Sequence, residues 1–155
     1  MRTFILLIAL LLGSSAHAGD DIAAAQSIIK AQEEAFGRDD AAAAYTYASP
    51  GIQAYFHNPD GFMFMVRNSY APVYRHRSFE FGQARMVDGK ILQNVDIIDA
   101  DGAAWDALYT LEPQADGSLK ITACPVLPAP SLTFSCPSAA GATRLGRGAG
   151  GGGCS

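Results

Sequence analysis

Few side chains in this 155-residue chain combine the type and setting that acid–base chemistry needs. His57 precedes Asn58-Pro59 between two helical stretches, where an imidazole can give or take a proton near pH 7. The plainer reading of His57 is an exposed loop residue. Asp96 lies between Val95 and Ile97 in a strand with apolar partners, and turned inward it would be a general base. Strict alternation instead groups Asp96 with Asn94 and Ile98, opposite Val95 and Ile97, and so turns it toward water. His57 and Asp96 are the nominees for catalysis by residue type, since neither belongs to a motif.

Binding chemistry has more material. Arg67 and Arg75-His76-Arg77 form a basic cluster suited to a carboxylate or phosphate through charge-assisted hydrogen bonds. Basic residues on a strand edge also serve simply to discourage edge pairing. Tyr45, Tyr55, Tyr70, Tyr74 and Trp105 can line an aromatic pocket with polar tips, and with Arg67 they are the candidate ligand-binding residues. The alternative is core and rim packing; Met63, Phe64 and Met65 read as core or subunit contact. No His-Glu-x-x-His and no Cys-x-x-Cys occurs, so no metal site is expected. A Gly-x-Ser-x-Gly nucleophile motif is absent too. Gly146-x-Gly148-x-x-Gly151 has the form of a dinucleotide fingerprint, but no strand precedes it and no helix follows, so no cofactor is expected.

The elements that must position these residues change grammar along the chain. Asp20 or Asp21 can cap a first helix in which Ile22, Ile29 and Phe36 recur on one face and Gly37 stops the run. Asp39 or Asp40 caps an alanine-rich second helix, and Ser49-Pro50 and Asn58-Pro59 start two more by serine or asparagine capping with proline in the first turn. Pro72 is expected to end the helical half. Four strands follow, separated at Asp88-Gly89, Ala100-Asp101-Gly102 and Asp116-Gly117. Trp105, Ala107, Tyr109 and Leu111 share one face of the third. Helices first and an antiparallel sheet second read as α+β, with the helices packed on a curved four-stranded antiparallel sheet.

The chain's ends suggest a compartment. Residues 1–18 read as a signal peptide: Arg2, the apolar run Phe4 to Leu12, then Ala16-His17-Ala18, with cleavage expected before Gly19. That run is too short to span a bilayer, which takes about 20 residues, and no later segment is longer, so no membrane span is expected. A periplasmic or secreted location follows. The formal charge of −4 becomes −5 once Arg2 leaves with the leader, a balance that argues against nucleic acid as a partner. Residues 19–127 have the length and apolar content of one domain. From about Pro125 the pattern fails, and residues 128–155 read as a disordered tail rich in Pro, Gly and Ala. Of the three cysteines, Cys124 and Cys136 are the expected disulfide, with Cys154 in the glycine run.

At family level the chain resembles the domain of unknown function 4864, placed among nuclear transport factor 2-like folds. The resemblance covers Ile22 to Leu127 and is carried by Ile28-Ile29, Gln32, Ala35-Phe36, Asp39-Asp40-Ala41-Ala42-Ala43-Ala44 and Ala48-Ser49-Pro50-Gly51-Ile52. Further on it rests on Phe62-Met63, Met65-Val66, Tyr70-x-Pro72-Val73-Tyr74-Arg75, Trp105, Ala107-Leu108-Tyr109 and Cys124. It implies a cone, with the sheet wrapped around the first helix and one end open, and it implies no activity. The reading it leaves is a non-catalytic module that binds a small apolar or amphipathic ligand, or a partner. The alternatives are an isomerase- or lyase-like enzyme in the same cavity and a structural homodimer joined through the outer sheet face.

Overall fold

Cap chemistry sets the helix starts in the computed structural model, which describes residues 17–130. The helices are α1 (His17–Gly37), α2 (Ala41–Thr46), α3 (Pro50–Phe56), α4 (Pro59–Ser69) and α5 (Ala71–Tyr74). At α2 the cap is Asp40, whose carboxylate accepts the Ala43 amide at 2.9 Å. Ser49 and Asn58 cap α3 and α4 in the same way, each with proline in the first turn. Such caps each contribute about 1 kcal/mol. Two expectations need correcting here. Helix α1 begins at His17 rather than after an aspartate cap, and Asp20 lies in its first turn, where a negative charge meets the positive end of the helix dipole. Pro72 does not end the helical half: it occupies the first turn of α5, where a missing N–H costs nothing.

The sheet comprises β1 (His76–Val87), β2 (Lys90–Asp99), β3 (Ala104–Pro113), β4 (Leu119–Ala123) and β5 (Val126–Pro128). The first four run as an antiparallel meander in chain order. The β1–β2 hairpin turns on Asp88 and Gly89, both at positive φ, the conformation that matches the twist of a two-residue hairpin. Strand β5 was not expected after Pro125. It pairs with the Trp105–Ala107 end of β3, beside the part of that edge that β4 occupies, and Pro128 stands at the strand's end, where prolines are tolerated. The architecture is therefore α+β, with helices followed by an antiparallel sheet.

The core forms where α1 crosses the sheet. Ala25, Ile29, Gln32 and Phe36 are the buried stripe of α1, spaced by four and three residues. They meet Val95 and Ile97 of β2 and Ala107, Tyr109 and Leu111 of β3, with Phe62, Met63 and Val66 of α4 and Val73 of α5 closing the sides. Each large apolar side chain buried there contributes roughly 1.5–3 kcal/mol. A second seam joins the ends of the chain's two halves. Ala48 forms a parallel bridge with Ile121: the Ser49 amide donates to the Ile121 carbonyl at 2.8 Å, and the Ile121 amide to that of Tyr47 at 2.9 Å. This holds the start of α3 against β4. Residues 1–16 of the expected leader, Cys136, Cys154 and the glycine-rich run lie outside the described residues, and so does the expected Cys124–Cys136 pairing.

Candidate functional site

Between α3, α4 and the β4–β5 edge lies a cavity of about 770 Å³. Its apolar wall comes from Phe36, Ile52, Phe56, Phe62, Met65 and Val66, and its sheet-side wall from Tyr109, Ile121 and Cys124. The gap between β4 and β5 shapes that second wall. Ladder pairing breaks after Ala123 and resumes at Val126, and in between the Leu108 amide donates to the Pro125 carbonyl. Cys124 sits in the break with its thiol facing the Tyr109 hydroxyl.

The polar groups on this wall are neutral. Burial pushes the Cys124 thiol up to about 12, although the Tyr109 hydroxyl opposes the shift. Tyr109 is itself raised well above the ordinary tyrosine value, first by burial, then by Cys124, Glu33 and Tyr70 nearby. Tyr70 is raised by burial and by Cys124. All three stay protonated through the physiological range and act as weak donors. Gln32, only 4% exposed, donates from Nε2 to the Ala44 carbonyl at 3.1 Å. Among the described residues, none that lines the cavity is Asp, Glu, His, Lys or Arg.

The sequence candidates divide sharply. Tyr55 and Tyr70 line the cavity, Tyr55 as a 78% exposed rim residue packed edge-on against Phe56. Tyr45 does not reach the space: it packs on Phe62 from behind and donates its hydroxyl to the Gln53 carbonyl at 2.6 Å. Trp105 is on the expected face of β3 but at its far end, where the indole N–H donates to Asp99 at 2.7 Å. Asp99 also accepts the Asp101 and Ala103 amides, so Trp105 braces the β2–β3 turn. Arg67 and Tyr74 belong to a separate cluster. Its centre is Asp39, at positive φ just beyond α1, which takes Arg67 at 3.1 Å, Arg75 at 2.9 Å and the Tyr74 hydroxyl. The Arg75 guanidinium also lies 3.9 Å from the centre of the Tyr74 ring and donates to the Phe36 carbonyl at the end of α1. The basic cluster thus does hold a carboxylate, and it is the chain's own.

His76 is likewise engaged, 3.0 Å from Glu33 through Nε2 and 3.2 Å from the Val73 carbonyl through Nδ1. His57 is exposed and ends α3 in the left-handed conformation. Asp96 is exposed on the outer face of the sheet, where it accepts from Asn94 at 3.0 Å. Neither catalytic nominee touches the cavity. Of the methionine-rich stretch, Met63 is core, Met65 lines the cavity and Phe64 is 69% exposed.

Two polar residues of the cavity lining were not among the sequence candidates for a site. Cys124 entered as half of a disulfide and as a residue of the family resemblance, and Gln32 entered through that resemblance alone. The helical spacing from Ile29 to Phe36 was the available signal for Gln32.

The family model described as Domain of unknown function (DUF4864) matches residues 18–134. The chain belongs to that family. No curated protein and no solved structure matches it. The family match takes in every residue that lines the cavity and the whole Asp39 cluster.

Proposed function

We propose that this member of the family is a non-catalytic module that holds a small apolar or amphipathic molecule between α3, α4 and the β4–β5 edge, and that it works in a periplasm or outside the cell after losing its leader. One observation carries the reading: a cavity of about 770 Å³ whose lining, among the described residues, is mainly apolar and carries no charged side chain. Small-molecule sites typically occupy about 300–1,000 Å³ and have such walls. In the cone that the nuclear transport factor 2-like resemblance implies, this cavity is the open end.

The enzyme alternative needs an ionised group beside the substrate. His57 and Asp96 stand away from the cavity, and Tyr70, Tyr109 and Cys124 on its wall stay protonated near neutral pH. The homodimer alternative meets an electrostatic obstacle. Glu80, Asp96 and Asp106 lie directly opposite one another across β1, β2 and β3, so a two-fold pairing centred on that outer face sets acid against acid. Native mass spectrometry of the protein purified from a periplasm tests the proposal. A reproducible extra mass is expected, reduced when bulk is added at the cavity wall, as in Ser69→Trp. A clean ligand-free species that also takes up no apolar probe would end this reading.

A further inference from the structure

We infer that the cavity selects uncharged amphiphiles and rejects their anionic counterparts, so that its natural ligand carries a neutral hydroxyl, carbonyl or amide head rather than a carboxylate, phosphate or sulfate. The inference rests on the ligand-binding reading above and narrows its chemistry.

Three observations support it. The lining includes residues with neutral hydrogen-bonding groups: Tyr70, Tyr109, Cys124 and Gln32. A neutral head can exchange hydrogen bonds with these, whereas an anion leaving water needs a cation to offset its desolvation. Cations in and beside the helical half are already engaged: Arg67 and Arg75 both hold Asp39, Lys30 holds Glu33, and Lys120 donates to the Thr46 carbonyl. Finally, the Glu33 carboxylate is among the groups that raise the Tyr109 hydroxyl, a field unfavourable to a second negative group at that wall. Charge complementarity therefore favours a ligand with no charge.

A matched pair of fluorescent probes isolates the point. N-phenyl-1-naphthylamine is uncharged, and 1-anilinonaphthalene-8-sulfonate adds a sulfonate to the same skeleton. Titrated into the whole protein at pH 7.5, the neutral probe should bind about tenfold or more tightly than the sulfonate. Decanol should displace it and decanoate should not. At roughly pH 4, where a good part of the decanoate takes up its proton, decanoic acid should begin to compete. Equal affinity for both probes, or displacement by decanoate at pH 7.5 as effective as by decanol, overturns the inference while leaving a binding module in place. Failure of the neutral probe to bind at all removes the ligand-binding reading and the inference with it.

Discussion

The cavity wall and the Asp39 cluster are both polar regions that join helices to the rest of the fold, yet they handle polarity in opposite ways. Around Asp39, formal charges gather at an exposed site and satisfy one another, with two guanidinium groups and a phenol on a single carboxylate. Around Tyr109, which is buried, the Tyr70 and Cys124 groups are neutral and partly buried, and the thiol faces the Tyr109 hydroxyl. Abundant charge marks structure here, and a modest set of neutral donors in an apolar wall marks capacity for a ligand. The region with the louder sequence signal is the one with less left to offer.

The largest effect that would break or sharpen this contrast is at Tyr109. It is 1% exposed and packs against Phe79, so Tyr109→Ala should cost about 3–5 kcal/mol in a urea unfolding curve and abolish probe binding. A loss below about 1 kcal/mol would mean that the wall is not packed as described.

The next effect is in the response to pH, and the two regions should weaken at opposite ends of the scale. Cys124, Tyr109 and Tyr70 are raised in the folded state, so their contribution is complete below the unfolded thiol value of 9.0 and is lost as pH climbs toward about 12. Cys124→Ala should flatten part of that alkaline decline. Asp39 is lowered, by the Tyr74 hydroxyl first and then by Arg67 and Arg75, so its contribution is present above 3.8 and fades as pH falls further. Unfolding curves across this range check both limbs, and an alkaline decline identical in Cys124→Ala would remove the thiol from the account.

The smallest effect is expected from Arg67→Ala. Arg75 and Tyr74 still hold Asp39, and exposed ion pairs contribute little. Its urea midpoint should move least of the variants, and its affinity for N-phenyl-1-naphthylamine should match the parent's. A clear loss of affinity would join the cluster to the cavity.

How much of this could be read from the residues depended on the range of the governing interaction. Ser49-Pro50, Asn58-Pro59 and Asp88-Gly89 act within a few residues, and the structure places caps and a turn at each. Alternation in β2 likewise separates Val95 and Ile97 from Asp96. What escaped was decided by distant partners. Asp39 and Asp40 were equivalent as caps until Arg67, in the last turn of α4, and Arg75, just after α5, distinguished them. Trp105 lay on the right face, but Asp99 holds it at the wrong end for a ligand. Strand β5 has three residues, one of them proline, too few to show a period, and exists because β3 extends beyond the end of β4.

The parallel bridge at Ala48 also governs the order of assembly. Hairpins β1–β2 and β2–β3 close over short loops, which is entropically easy, whereas the contact between Lys120 and Thr46 closes a separation of 74 positions. The meander can therefore form early, with the seam that shapes the cavity closing late. Weakening that seam should hasten unfolding while leaving the refolding rate nearly untouched, so the mouth of the cavity is the fold's natural point of first release.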